Sequence, residues 1–353
     1  MNTEFLEAIE QIGKEKGIDR EILTEAINAA LLSAYKKNFG TAQNVRIDID
    51  NTSGQVKVYA LKKVVEEVND ANLEIDIDQA KEINQSYDID DIVEIEVTPK
   101  NFGRIAAQNA KQVVIQRIRE AERILVYEKF LEKENEVIPA IVQRVERRNV
   151  YVDMDMAEGI LPPNEQMPNE QYRVNDRIRV YITDVKKTTK GPQIIVSRTH
   201  PGLVKRLFER EVLEIIRGEV IIKNIAREAG YRTKMAVHST EPGVDPIGAC
   251  VGQRGMRVQP IVNELKGEKI DIIRWSSQPD EYIASALSPA KVIAVSILDE
   301  NEKIAKVIVP DNQLSLAKGK EGQNARLAPK LKGWKIDIKA SHRNNILLLV
   351  RLL

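Results

Sequence analysis

Two short glycine-flanked segments are the part of this sequence with the clearest potential for chemistry. They are Gly252-Gln253-Arg254-Gly255 and Gly319-Lys320-Glu321-Gly322, and each lies between two segments of helical pattern. Because glycine has no Cβ atom, a tight turn that begins and ends with glycine can approach a sugar-phosphate backbone closely. Helix N-terminal amides and basic side chains then bind the phosphates, and the basic residues placed for this are Arg254, Arg257, Lys320 and Arg326.

The two turns belong to a larger internal repeat. Leu265–Ile272 matches Leu331–Ile338 at an offset of 66 residues, and the turns themselves match at an offset of 67. With 18 glycines in 353 residues, about one Gly-x-x-Gly pair is expected by chance. Two pairs that precede the same strand pattern at nearly the same distance are therefore not explained by chance. The alternative is structural: each glycine caps a helix before a close helix crossing.

The elements that must position these turns have the same order in both repeats: a helix, two strands, a helix pair broken by the glycines, and a last strand. In the first repeat we predict a helix over 203–217 and strands over 219–226, 231–238 and 268–275. In the second repeat we predict helical segments over 279–287, 311–318 and 322–330 and strands over 290–298, 303–309 and 333–340.

A separate strand-rich region precedes the repeats. Alternating apolar residues predict five short strands over 137–145, 149–154, 158–161, 177–185 and 193–197. The segment 161–169 contains Pro162, Pro163 and Pro168, so it must be a loop. Five short strands with a long excursion after the third fit a small Greek-key barrel.

The first 134 residues mix helices and strands. Residues 3–38 predict two helices, the first with the stripe Phe5, Leu6, Ile9 and Ile12 and the second between Asp19 as N-cap and Gly40 as stop. A period of two predicts strands between 45 and 58 and again over 92–97. Residues 104–131 predict a helix about 42 Å long, which suits a connector to the next domain. Alternatively, at least its first half packs on its own domain.

Charge is unevenly distributed, although Lys+Arg and Asp+Glu both total 53. Residues 1–134 hold 18 basic and 26 acidic residues, whereas residues 201–353 hold 25 and 18. A basic C-terminal part is typical of a nucleic-acid binder, although an ordinary solvated surface would also give it. For the acidic residues between Glu74 and Asp91 we favour a solvated surface over a docking face for a basic partner or a set of metal ligands.

Several classes of function have no signature in this sequence. Cys250 is the only cysteine, and its apolar neighbours predict a buried thiol rather than a nucleophile. The three histidines are too scattered for a zinc site, and no P-loop or dinucleotide-binding glycine motif occurs. We therefore expect no enzyme activity, no cofactor and no metal. Without an apolar run of 18 residues or a signal peptide, we expect a cytoplasmic protein with no membrane contact.

Particular residues connect these patterns with known families. The order of elements around each Gly-x-x-Gly turn resembles the KH domain in its bacterial topology, a module that binds about four single-stranded nucleotides. The strand region, with Asn149–Val152, Glu158–Pro162 and Ile195–Arg198, resembles the RNA-binding S1-type barrel. This order of modules, together with Asp245–Gly255 and Gln313–Ala317, resembles the NusA family of bacterial transcription termination and antitermination factors.

The resemblance implies a monomeric RNA-binding transcription factor. It implies that residues 1–130 dock on RNA polymerase, that the barrel and the KH domains contact nascent single-stranded RNA, and that other Nus factors join the complex. Glu321 should weaken phosphate binding at the second turn, because it places a negative charge there. In the barrel, Tyr151 with Arg147 and Arg148 nearby is the expected stacking site.

The expected fold class is multidomain α+β: a helical and β-stranded N-terminal domain with a long connector helix, a five-stranded S1-type barrel, and two α/β KH domains of type II topology. The expected domains are 1–134, 135–200, 201–276 and 277–340, followed by an off-pattern tail at 341–353. The alternatives that use the same modules are an RNA-processing enzyme and a ribosome-associated protein.

Overall fold

The computed structural model describes residues 11, 13–15, 17–40, 44–50 and 54–341. The stripe predicted for the first helix and the tail from 342 onward lie outside the described residues. The chain divides into two compact units, Met1–Val126 and Tyr127–Leu353.

The first unit packs helices on a four-stranded sheet. Helix α1 begins where the Asp19 side chain accepts a hydrogen bond from the backbone N of Glu21 at 2.8 Å, and it ends at Gly40, as predicted. Its buried residues, which include Leu31, share a core with Val58 of the sheet. The elements are α1 (Arg20–Phe39), β1 (Val45–Ile49), β2 (Val56–Val65), β3 (Glu74–Asp76), α2 (Ile77–Ile83), β4 (Ile92–Glu96) and α3 (Phe102–Leu131).

The long helix α3 has a buried half and an exposed half. Phe102, Ala106 and Ala110 are fully buried in the core of the first unit, whereas Leu125 is 61% exposed. The alternative that its first half packs on its own domain is therefore correct. Strand β3 and helix α2 are short elements that the sequence pattern does not predict, because they bury only Ile75 and Ala80.

The second unit begins with a closed barrel. Its strands are β5 (Val137–Glu146), β6 (Asn149–Asp153), β7 (Glu158–Leu161), β8 (Arg177–Thr188) and β9 (Gly191–Ser197). They pair in the order β5-β6-β7-β9-β8, and β5 closes on β8. Val142, Val152 and Val180 are fully buried inside, as the period of two requires. The predicted five-stranded barrel is confirmed.

Two repeats of the same fold follow. The first contains α4 (Pro201–Glu211), α5 (Leu213–Ile216), β10 (Val220–Glu228), β11 (Arg232–Ser239), α6 (Pro246–Val251), α7 (Val258–Glu264) and β12 (Lys269–Arg274). The second contains α8 (Pro279–Ala286), β13 (Ala294–Asp299), β14 (Ile304–Val309), α9 (Leu314–Lys318), α10 (Gln323–Lys332) and β15 (Lys335–Ala340). In each sheet the middle strand is antiparallel to the first and parallel to the last.

Two predicted elements need correction. The helix predicted over 203–217 is interrupted at Val212, which is extended (φ −111°, ψ 109°) and fully buried, so the chain turns into the core before α5. The strand predicted over 290–298 begins only at Ala294. The N–H groups of Ala290 and Lys291 donate to Leu287 O and to the Gln313 side chain, so they are not available for a strand ladder.

A buried guanidinium joins the barrel to the first repeat. The Arg198 side chain is fully buried, and all five of its N–H donors have acceptors. Glu170 accepts through both carboxylate oxygens and Glu264 through one, at 2.9 Å. The carbonyls of Arg179 and Glu264 accept the remaining two bonds at 2.7 and 2.9 Å. The barrel strand β8, the loop that carries Glu170 and the end of α7 therefore meet at one side chain.

Replacing Arg198 by methionine should destabilise the second unit, because the buried carboxylate of Glu170 and the partly buried carboxylate of Glu264 would lose their counter-charge. Breaking a buried ion pair from one side costs about 3–5 kcal/mol. The matched control is R177M, since Arg177 is exposed on the same strand β8, and surface changes cost less than about 0.5 kcal/mol. Urea unfolding followed by the fluorescence of the two tryptophans, Trp275 and Trp334, measures both. Equal losses for the two variants would contradict a structural role for Arg198.

Candidate nucleic-acid interface

The first Gly-x-x-Gly turn has a backbone that only glycine accommodates at its first position. Gly252 ends α6 with φ 73°, and a Cβ atom there would lie 2.8 Å from Cγ and 3.1 Å from the backbone N of Arg257. Gly255 has φ 80° but open space, since its Cβ would lie 3.7 Å from Val258 Cγ1. The close packing of the turn against Arg257, at the start of α7, therefore requires glycine at the first position. At the second position, the left-handed backbone conformation favours glycine.

The second turn repeats this geometry. Gly319 has φ 75° and ψ 171°, compared with 73° and 172° at Gly252. Glu321 has φ 54° and ψ 24°, compared with 51° and 28° at Arg254. A Cβ atom at Gly319 would lie 2.9 Å from the backbone N of Asn324. The two turns have the same backbone path for the same steric reason.

The side chains between the glycines point to solvent. Gln253, Arg254, Lys320 and Glu321 are all exposed. Among the described residues, no carboxylate pairs with Arg254 or Lys320, so both cations are available to an anionic ligand. Lys318, which precedes the second turn, is also exposed and does not enter the core.

The other two predicted phosphate contacts, Arg257 and Arg326, are held by carboxylates of the protein. Arg257 Nη1 donates to Glu214 Oε2 at 2.7 Å and to the carbonyl of Ala249 at 2.6 Å. Arg326 donates to both carboxylate oxygens of Glu228 at 2.8 and 3.1 Å. These hydrogen bonds hold the pKa of Glu228 below its ordinary value, so the pair is charged at neutral pH.

Each of these two ion pairs connects the helix pair that carries a turn to a neighbouring element, and in this sense braces the turn. Arg257 connects the end of α6 to α5, and Arg326 connects α10 of the second repeat to β10 of the first. The sequence analysis does not find Glu214 and Glu228, because they lie 43 and 98 residues away from their partners. No local spacing rule gives a signal for such pairs.

An apolar surface lies beside the first turn. Ala249, Val258, Ile270 and Ile272 pack on the core of the first repeat and stay partly exposed. Beneath them, Cys250 is fully buried, and burial raises the pKa of its thiol to about 12. The predicted buried thiol is confirmed. Exposed cations beside partly exposed apolar side chains suit a ligand with phosphates and flat bases.

In the barrel, the side chain that stacks on Tyr151 is one that the sequence analysis does not name. The guanidinium carbon of Arg144 lies 3.9 Å from the Tyr151 ring centroid, and Arg144 also pairs with Glu146 and Glu158. Arg147 and Arg148 form the exposed β5–β6 turn with φ 49° and 71°. The cross-strand register Arg144↔Tyr151 follows from a bulge after Val142, which a sequence pattern does not reveal.

The acidic stretch of the first unit consists largely of local caps. Glu74 accepts from the backbone N of Asn69 at 2.7 Å, Asp76 from Asp78 N at 2.8 Å, and Asp91 from Asp88 N at 2.8 Å. Across the residues that the structure describes, no three carboxylate, histidine or cysteine side chains lie together as metal ligands do. Within the same residues, every helix is too short or too polar to span a bilayer.

The fold and the twin turns define a class: proteins that combine an S1-type barrel with tandem KH domains. Family models agree, matching the NusA N-terminal domain at 4–124, the S1 RNA binding domain at 132–197, and the NusA-like first and second KH domains at 198–275 and 279–346.

Relatives give the particular family. A transcription termination/antitermination protein NusA from Halalkalibacterium halodurans is 63% identical over 96% of this chain and 89% of its own length. The protein of that name from Bacillus subtilis is 61% identical over 96% and 91%. The solution structure of the NusA N-terminal domain from B. subtilis, 59% identical, covers 35% of this chain and 99% of its own, with a TM-score of 0.33. The chain belongs to the NusA family.

The thiol beneath the interface gives a direct test of its packing. With a pKa of about 12, only about one Cys250 thiol in ten thousand is ionised at pH 8, and the thiolate is the reactive form. We expect alkylation by iodoacetamide at pH 8 to be at least about 100-fold slower in the folded protein than in urea. The urea-unfolded protein is the control, and similar rates in both states would contradict the close packing of α6 on the sheet.

Proposed function

We propose that this protein is an RNA-binding transcription factor that docks on RNA polymerase and contacts nascent RNA, and thereby modulates pausing, termination and antitermination. The observation that carries the proposal is the pair of turns with one backbone geometry, each with an exposed, unpaired cation in the described part of the chain. Family membership supports the transcriptional role, since the relatives are named for termination and antitermination.

Binding divides into phosphate contacts and base contacts. Arg254 and Gln253 at the first turn, and Lys320 at the second, meet the phosphates, because these side chains are exposed. The missing Cβ atoms of Gly252 and Gly319 serve the close packing of each turn on the helix that follows it. The partly exposed residues Ile270 and Ile272 offer an apolar surface to the bases. Glu321 makes the second turn the weaker of the two, because its charge repels phosphate.

In this proposal Arg257 and Arg326 are positioning residues. Their guanidinium groups are engaged by Glu214 and Glu228, so moving either to a phosphate would leave a carboxylate without its partner. In the barrel, Tyr151 with Arg144 over its ring forms the stacking site, and Arg147 and Arg148 extend a basic rim at the hairpin tip.

In this proposal each module has its own role. Residues 1–134 dock on polymerase, 135–200 form the S1-type barrel, and 201–276 and 277–340 form the two KH domains. No bond is made or broken, so the protein acts by binding alone, as a monomer in the cytoplasm.

Each module binds only a few nucleotides, and each binds them weakly. Tethering to polymerase raises the local RNA concentration to about millimolar, which compensates for weak single contacts.

Replacing Gln253 and Arg254 by aspartate should weaken binding of a 12-nucleotide single-stranded RNA and reduce the salt slope of its affinity by up to about 0.7 per lost phosphate contact. Fluorescence anisotropy across a salt series measures both quantities. The corresponding K320D/E321D variant should lose less, because Glu321 already opposes phosphate.

The matched control for that experiment is K111D/Q112D. It makes the same change in charge as Q253D/R254D, at two exposed neighbours on α3. If the control lowers affinity as much as the first-turn variant, net charge explains binding. If no variant lowers it, the turns are structural only, and the RNA-binding part of the proposal fails.

Polymerase docking is tested separately by retention of core RNA polymerase or of ribosomes on the immobilised full chain. We expect retention of polymerase, and we expect residues 1–134 as competitor to abolish it. Retention of ribosomes alone would overturn the proposed transcriptional role and favour the ribosome-associated alternative.

A further inference from the structure

The sheet of the first repeat has one face covered by the second repeat. Read across the strands in register, this covered face has three rows: Asn224-Ala236-Ile273, Ala226-Lys234-Asp271 and Glu228-Arg232-Lys269. The second repeat contacts every row. Ala236 and Ile273 pack in one core with Ile283 of α8, Lys234 Nζ donates to the carbonyl of Ser288 at 2.8 Å, and Arg326 donates to Glu228.

The sheet of the second repeat has the same arrangement of cross-strand rows. Its equivalent rows are Ala294-Ile308-Lys339, Ser296-Lys306-Asp337 and Asp299-Ile304-Lys335, with Leu298 in a bulge beside the last row. We call this surface the open face. The helices of the second repeat pack on the other side of the sheet, against Ala305, Val307 and Val309. Leu298 on the open face is 61% exposed.

The middle rows keep the same pair of residues. In the covered face, Lys234 is fully buried, and its ammonium donates to Asp271 at 3.0 Å and to Ser288 O, two residues beyond the end of α8. In the open face, Lys306 stands opposite Asp337 in the same way. Asp337 pairs with Lys339 at 3.3 Å, and among the described residues nothing accepts a hydrogen bond from Lys306.

We propose that the open face binds the C-terminal end of an acidic helix from a protein partner, with the turn that follows it, as the covered face binds α8 and the Ser288 carbonyl in the turn after it. The last carbonyls of a helix lack intrahelical donors and carry the negative end of the helix dipole, so a half-buried lysine is their natural partner. Lys306 has the place in its sheet that Lys234 has in the other.

The rest of the open face fits this occupant. Lys335 and Lys339 are exposed beside Lys306, and their present ion pairs are exposed ones, which stabilise by little and can be exchanged for partner carboxylates. Ile304 and Ile308 are half-buried and supply apolar area for the helix side chains. The three rows contain neither a Gly-x-x-Gly turn nor an aromatic ring, so the face lacks the two features on which the proposed RNA contacts of this chain rest.

The test is site-specific photocrosslinking in Bacillus subtilis cells that express the full chain. The photoreactive residue p-benzoylphenylalanine replaces Leu298, and the crosslinked peptide is identified by mass spectrometry. We expect a nuclease-resistant crosslink to the last turn of a helix with net negative charge. Val174, 57% exposed in the barrel, is the matched control position and should not give the same peptide.

A second variant ties the crosslink to the lysine. K306M removes the donor but keeps an apolar chain, and it should reduce the crosslink at least about tenfold, the loss expected for a hydrogen bond to a charged group. K306R should restore it, and K190M, at an exposed lysine of the β8–β9 turn, should have no effect. RNA affinity should be unchanged in all three variants, which separates this test from the proposed RNA binding.

Four outcomes would overturn the proposal: a crosslink to RNA, a crosslink to a second copy of this chain, the same peptides from position 174, or no crosslink at position 298. Circular dichroism and thermal unfolding of each variant establish that it is folded before these outcomes are read.

Discussion

The candidate interface depends on the close packing of the first glycine of each Gly-x-x-Gly turn against the start of the helix that follows, which leaves no room for a Cβ atom. At Gly252 and Gly319 any Cβ atom would fall against backbone, at 3.1 Å from Arg257 N and 2.9 Å from Asn324 N. Backbone cannot move aside as a flexible side chain can. The two helices of each pair therefore cross closely, and the residues between the glycines are forced outward. The same constraint that closes the turn exposes Arg254 and Lys320.

Rigid turns are useful to an RNA-binding protein only if the modules that carry them hold a fixed relation. Exposed ion pairs contribute little to this, whereas buried ones set geometry because a buried charge must keep its partners. The described part of the second unit, up to residue 341, has such points at Arg198 between the barrel and the first repeat, at Arg227–Glu268 within the first repeat, and at Lys234–Asp271 where the second repeat covers the first. Glu268 also accepts from Gly230 N and Thr233 Oγ1, so its carboxylate is fully engaged.

Much of this architecture is predictable from the sequence, because strands and helices leave periodic patterns within about ten residues. The five barrel strands, both repeats and the helix predicted over 104–131 are found that way, and a self-comparison finds the two turns. What the pattern misses is decided at long range. A helix is interrupted at Val212, which is extended and buried in the core, Arg144 reaches Tyr151 through a bulge, and Glu228 meets Arg326 across 98 residues.

The repeat also explains why the two turns differ in charge although their backbones follow the same path. Backbone path is fixed by the glycines and by the position after the turn, which is Arg257 in one repeat and Asn324 in the other. Asn324 is buried and donates to the carbonyls of Leu287 and Ala317, so it braces its turn from within its own repeat. Arg257 braces the first turn through α5. Since no brace involves a side chain between the glycines, the side chains of Arg254 and Glu321 were free to diverge, and a duplicated scaffold can hold one strongly and one weakly attracting turn.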